Sequence, residues 1–214
     1  KTLVAIATGL TPPVRKRSPA GDALNHLGDP RAGVSLRADG VPDILWCRVA
    51  AGKFLMGNTK TTDKKAFADE MPQKTLTLPA YVISRYPVTN AQYQAFVDDG
   101  GYMEKWKACW TRAGWTGKEE RGIQEPWRYG GDSDLANHPV VGVSWYESLA
   151  FCNWLTKKLG RCVTLPSEAQ WEKAARGADG QRFPWGLEIT SDHANYSVAG
   201  TGATSAVGIF PKGE

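Results

Sequence analysis

Three short segments carry the same helix-start signature, and together they leave the chain few ways to fold. Thr89 and Gln92, Ser144 and Glu147, and Ser167 and Gln170 each place a hydroxyl three residues before a longer polar side chain. In such a capping box the hydroxyl accepts a hydrogen bond from a free N–H of the first turn, and the longer side chain accepts one from the cap residue's own N–H. Gly160 and Gly177 follow the second and third boxes where a helix end favours a residue that tolerates left-handed geometry. The spacing therefore predicts helices opening after Thr89, Ser144 and Ser167. In the third, TLPSEAQWEKAARG (164–177), Glu168 suits the positive end of the helix, Glu172 and Arg176 stand one turn apart, and Ala169, Trp171, Ala174 and Ala175 are free to pack. These glutamates read as scaffold rather than as a catalytic pair.

Around the helices the pattern is short and irregular. Ile44, Trp46 and Arg48 alternate with Leu45, Cys47 and Val49, a turn falls at Ala51 and Gly52, and a second run passes through Phe54 to Met56, which predicts a hairpin opening the domain. Thr75 and Thr77 alternate with Leu76 and Leu78 before the period turns helical at Tyr93, Phe96 and Val97. Residues 98–138 hold Trp106, Trp110, Trp115 and Trp127 without clear period and read as a long self-packed surface loop. Residues 1–42 are rich in proline, glycine and charge and read as an N-terminal arm or linker, with one helical hint at Ala20, Ala23, Leu24 and Leu27 stopped by Gly28. Residues 43–214 read as the folded domain. Nine tryptophans and 23 glycines among 214 residues point to an α+β fold with few short strands and many loops.

Several function classes fall away. The net charge of +4 is spread along the chain, and its one basic run, RKR at 15–17, has no interleaved aromatics, so no nucleic-acid partner is expected. Cys47, Cys109, Cys152 and Cys162 form no C-x-x-C pair and His26, His138 and His193 lie far apart, which leaves no zinc motif and makes reduced, buried thiols the expectation. Asp132, Asp134 and His138 read as turn chemistry leading into a strand. The opening KTLVAIATGL is too short to cross a bilayer and lacks a cleavage pattern, so no membrane partner and a cytoplasmic location are expected. It lacks an initiator methionine, which suggests an upstream domain in the same polypeptide.

Six blocks in order, GKFLMGN (52–58), YPVTNAQYQAFV (86–97), HPVVGVSWYESLAFCNWL (138–155), TLPSEAQWEKAARG (164–177), FPWG (183–186) and ANYSVAGTGATSAVGIFPKG (194–213), resemble the formylglycine-generating-enzyme, or sulfatase-modifying-factor, family. The resemblance implies an irregular C-type-lectin-like fold held by tryptophan-rich loops, with the C-terminal part of the family's domain lying beyond Glu214. In the family's catalytic members a copper-binding cysteine pair lies in that part, and none of the four cysteines here matches it. The iron-dependent ergothioneine-synthesis branch draws on a histidine cluster that has no counterpart here. A calcium ion bound near Asn195 and Tyr196 is a secondary possibility that the resemblance implies.

The function expected on this basis is a non-catalytic ligand- or protein-binding module, the recognition domain of a larger bacterial protein of the retroelement-diversified, signalling or defence kind, with no cofactor. Trp106, Trp110, Trp115, Trp127 and Tyr129 are its candidate surface contacts, since aromatic side chains dominate interface energetics. The alternative is a copper- and oxygen-dependent formylglycine-generating oxidoreductase acting on a peptide cysteine, with its catalytic cysteines beyond residue 214. A third reading is a structural role in an assembly.

Overall fold

The strands form one long antiparallel ribbon broken in the middle. In the computed structural model, which describes residues 2–61 and 63–213, β1 (Trp46–Val49) pairs with β4 (Tyr81–Ser84) and β2 (Gly52–Met56) pairs with β3 (Lys74–Leu78). Trp46 faces Ser84, Val49 faces Tyr81, and Gly52 faces Leu78, so both pairs keep the same register and the ribbon resumes in phase after its interruption. The break sets Ala50 and Ala51 opposite Pro79 and Ala80, where proline has no N–H to offer a ladder. The expected hairpin between residues 44–49 and 54–56 is therefore corrected: these runs are successive parts of one arm, and their partners are residues 81–84 and 74–78 of the other.

Helix α6 (Glu168–Arg176) lies across this break. Its Lys173 is buried and donates to the carbonyls of Ala50 (2.8 Å), within the break, and Gly52 (3.0 Å), at its edge, while its ammonium sits 5.8 Å from the centre of the Phe54 ring. Tyr81 Oη donates to the Gln170 carbonyl at 2.5 Å and ties the other arm to the same helix. The packing face of α6 thus centres on Lys173, whereas Trp171, expected to pack, is 61% exposed.

All three capping boxes form. Thr89, Ser144 and Ser167 accept from Gln92, Glu147 and Gln170 N–H at the starts of α3 (Asn90–Asp98), α5 (Trp145–Leu159) and α6, and Gly160 closes α5 at φ 64°. Helices α3 and α5 pack through Tyr93, Phe96, Phe151 and Trp154, with Tyr93 stacked on Phe151 at 5.2 Å between ring centres. The region expected to be a surface loop completes this core. It contains a 3-10 turn at Glu104–Cys109 and a fourth helix, α4 (Arg112–Glu120), and it sends Tyr102, Trp110 and Trp115 inward. Gly101 makes this fit possible, because a Cβ there would lie 2.2 Å from the Phe96 ring.

Several buried polar groups in this core bond one another, while the Trp115 Nε1 is buried without a hydrogen-bond partner. Glu147 accepts from Tyr102 Oη (2.7 Å) and the Ser144 N–H (2.8 Å), and Tyr93 Oη reaches the Glu147 carbonyl (3.2 Å). At the edge of the core, Asp99 accepts from Trp154 Nε1 (2.8 Å) and pairs with Lys158 (2.7 Å) and Lys105 (2.9 Å).

The N-terminal residues are folded against the rest of the chain. Helices α1 (Thr2–Thr8) and α2 (Val14–Leu27) form a hairpin, and Ala7, Ala20 and Leu24 bury a second apolar cluster with Ala206 and Ile209 from the C-terminal segment. Polar bonds reinforce it: Arg17 to Asp192 (2.7 Å), Arg31 to the Val207 carbonyl (2.6 Å) and Asn137 to Asp29 (2.8 Å).

Candidate functional site

A cleft of about 1140 Å³ opens at the β2–β3 end of the ribbon, between residues 57–58, 63 and 69–72, one face of α6 and residues 180–187. Arg176 holds these walls together. Its Nε donates to the Gln181 carbonyl (2.7 Å), Nη1 to the Gly57 carbonyl (3.1 Å) and to Glu172, and Nη2 to Asn58 Oδ1 (2.8 Å) and the Gly180 carbonyl (2.9 Å). Five bonds use all five guanidinium donors, so Arg176 positions the cleft and has no donor left for a ligand. Glu172 receives the Gly57 N–H as well (2.8 Å), and Glu70 receives Asn58 Nδ2 (2.6 Å). The pair expected only as a helix-surface contact is in fact the joint between a helix and two loops.

Carboxylates outnumber cations on the lining, and the exposed rings and chains of Trp171 and Leu187 add apolar surface. Among the described residues, the lining includes no histidine, cysteine, serine or threonine. The polar and charged lining is suited to binding and orienting a ligand.

The residues expected to contact ligand separate into two groups. Trp110 and Trp115 are 8% and 6% exposed in the aromatic core, and Trp106 is half-buried with its Nε1 bonded to the Asp99 carbonyl at 2.9 Å. The expectation that these three are surface contacts is corrected: each closes the packing of the α3–α5 pair. Trp127 and Tyr129 are 73% and 67% exposed, and the Trp127 N–H bonds the Gly142 carbonyl beside the start of α5 (3.0 Å). Neither is among the residues lining the cleft.

The thiols also divide. Cys109 and Cys152 are buried, and burial pushes the Cys152 thiol up to about 11 and raises that of Cys109 against the opposing effect of Lys157. Cys47 and Cys162 are exposed, against the expectation of four buried thiols. Copper favours thiolates gathered in one place, yet two of these thiols are held protonated inside the core, and no three His, Cys, Asp or Glu side chains converge on a metal position among the described residues. The residues present do not fit the copper group, and no chemical step is assigned through it.

Asn195 is occupied within its own loop: Nδ2 donates to the Ala203 carbonyl (2.9 Å) and to Ser205 Oγ (3.2 Å), and Oδ1 accepts from Thr201. Tyr196 precedes a 3-10 turn at Ser197–Ala199. This donor set fits a loop staple better than a calcium site, which calls for several free carboxylate or carbonyl oxygens. His138, read as part of a turn, is 1% exposed and bridges two distant segments through both ring nitrogens. Only its tertiary neighbours reveal that role.

Comparison with known proteins bears on these features. Residues 1–214 contain a match over 40–212 to the sulfatase-modifying factor enzyme 1-like domain. Hercynine oxygenase of Mycobacterium tuberculosis is 34% identical over 177 residues, 75% of this chain and 39% of that protein. The formylglycine-generating enzyme of Thermomonospora curvata is 34% identical over 171 residues, 66% of this chain and 52% of that protein. The chain thus spans about half or less of the length of these relatives. PvdO from Pseudomonas aeruginosa, at 23% identity, shares the fold with a TM-score of 0.53 over 73% of this chain and 58% of its own. No described helix is long and apolar enough to cross a membrane. The match to residues 40–212 covers well over half of the chain, and the chain belongs to the sulfatase-modifying factor enzyme 1-like family.

Proposed function

We propose that this chain forms the scaffold and one binding wall of an oxygen-using oxidoreductase of its family, with the reacting groups contributed by residues other than those described. One observation carries the reading. The chain is 34% identical, over 75% and 66% of its length, to relatives with two different names, a hercynine oxygenase and a formylglycine-generating enzyme. A segment common to two chemistries supplies architecture, and the chemistry resides in groups grafted onto it. The buried thiols and the fully engaged Arg176 support this division of labour. The comparisons favour this reading over the binding module expected from sequence. The finer form of the proposal is the copper- and oxygen-dependent conversion of a peptide cysteine to formylglycine. Four unpaired cysteines support a reducing, cytoplasmic setting.

The test uses the longest natural polypeptide carrying this chain. It is supplied with oxygen and a thiol reductant, and with either copper and a cysteine-containing peptide or ferrous iron, hercynine and cysteine. Oxygen uptake with aldehyde formation on the peptide is the expected result. Uptake with hercynine alone moves the protein to the other branch. No uptake with either pair refutes the oxidoreductase reading and returns attention to a binding role, for which the exposed Trp127 and Tyr129 are the specific observation.

A further inference from the structure

Most charged groups lining the cleft are committed to protein partners, and two carboxylates are left over. Arg176 bonds Glu172, Arg182 lies 3.7 Å from Asp63, and Glu70 accepts from Asn58. Asp69 and Glu168 are exposed at the lining with no hydrogen bond or ion pair to any described residue, and Lys74 is the one described lining cation left to set against them. Trp171 follows Glu168 by one helical turn, and its indole is 61% exposed at the same lining. An open indole beside an unpaired carboxylate suits a guanidinium or ammonium group: the ring face attracts the cation and the carboxylate accepts its N–H groups. The whole chain carries a net charge of +4, so the excess of acid here runs against the general balance.

The ribbon adds a second element, an open strand edge. Leu55 donates its N–H to the Ala178 carbonyl (3.0 Å), away from β3, so Leu55 and the residue facing it, Thr75, form a pair without ladder bonds. Thr75, and by alternation Thr77, therefore turn their N–H and C=O groups to the outer edge of β3, where no described residue takes them. The other edge, on β2, is occupied by the Ala178 carbonyl. Both threonines are exposed, and an edge of this kind accepts an extended chain as a further strand.

We propose that the cleft and this edge together dock an extended basic segment of a partner protein, which adds as a strand to β3 and lays a lysine or arginine against Trp171 and Glu168, with Asp69 adding to the attraction. Lys74 and Leu76 of β3 line the cleft, so alternate side chains of an added strand point to the same side. The cleft volume of about 1140 Å³ exceeds the roughly 300–1,000 Å³ of pockets that take a single small molecule, which leaves room for several side chains of a peptide. Charge selects the partner's basic residues, and the strand edge selects an extended backbone. The docking is independent of the oxidative reading, and its test needs neither oxygen nor a metal.

Fluorescence anisotropy on the full polypeptide tests the docking with two labelled peptides, one alternating arginine with threonine and one alternating glutamate with threonine. The arginine peptide should bind and the glutamate peptide should not. Trp171→Ala should weaken binding by about fivefold to thirtyfold, and Asp69→Asn combined with Glu168→Gln by about tenfold or more. All three positions are exposed, so the variants should keep the parent Tm. Amide hydrogen exchange at Thr75 and Thr77 should slow when the arginine peptide binds. Equal binding of the two peptides, an affinity unchanged by Trp171→Ala, competition by free arginine at the peptide's own concentration, or unchanged exchange at Thr75 and Thr77 would each overturn the proposal.

Discussion

The three capping boxes look alike in sequence but stand in different surroundings, and Thr89 should prove far the most costly to disturb. Thr89 is fully buried: its hydroxyl accepts from the Gln92 N–H (3.2 Å) and donates to the Val34 carbonyl (2.8 Å). Gln92, also buried, carries the tether further, to the carbonyls of Asp43 (2.6 Å) and Gly33 (3.1 Å). Replacing Thr89 by valine preserves shape but leaves one buried donor and one buried acceptor unpaired. At about 1–3 kcal/mol for each orphaned group, the loss should be about 2–6 kcal/mol. Ser167 makes the same cap bond at an exposed site, where water can replace it, so Ser167→Ala should cost about 1 kcal/mol or less. Thr89→Ser, which keeps the hydroxyl, should stay close to the parent protein. Urea unfolding of the three variants separates these outcomes, provided the slopes agree. Equal losses for Thr89→Val and Ser167→Ala would refute the argument that the first box is a tertiary tether.

Further predictions follow from burial and charge. Trp110→Ala and Trp115→Ala should each cost about 3–5 kcal/mol, and Trp127→Ala within about 0.5 kcal/mol, read as shifts in Tm. Gly101→Ala forces a methyl against Phe96 and should cost about 1–3 kcal/mol with altered near-ultraviolet dichroism; an unchanged spectrum and stability would contradict the close packing. A maleimide applied to the native protein near neutral pH should label Cys47 and Cys162 and spare Cys109 and Cys152, which peptide mapping would check. Burial raises the Asp99 carboxyl, but bonds from Lys158, Lys105 and Trp154 outweigh it and hold the group well below the usual carboxylate range. Its contribution is therefore present above about pH 4 and lost on acidification, so Asp99→Asn should destabilise at neutral pH, with the difference shrinking in acid.

What could be read from sequence was what is decided locally. A cap and its acceptor lie three residues apart, so Thr89, Ser144 and Ser167 announce their helices without knowledge of the fold. Helix α4 escaped notice because Thr111 accepts from the Gly114 N–H with no glutamate or glutamine at that position to complete the box. The ribbon was misjudged because its register depends on residues 74–84, beyond the reach of any local pattern. Tryptophan burial failed for a related reason: Trp110 and Trp115 meet at 6.1 Å from two different elements, so no single period records their shared side. The cleft was illegible in full, since Arg176 finds its partners at residues 57–58 and 180–181 as well as within its own helix.

These failures and successes bear on function in one direction. Three charged groups of α6, Lys173 at the ribbon break and Glu172 and Arg176 at the cleft, are spent on backbone groups and neighbouring side chains. A site that reacted through these groups would need donors or acceptors left free, and their complete engagement leaves them a structural task. The consequence is specific: substitutions at Arg176 should lower the stability of this chain, read as a shift in Tm, by freeing the loops at 57–58 and 180–181 from α6.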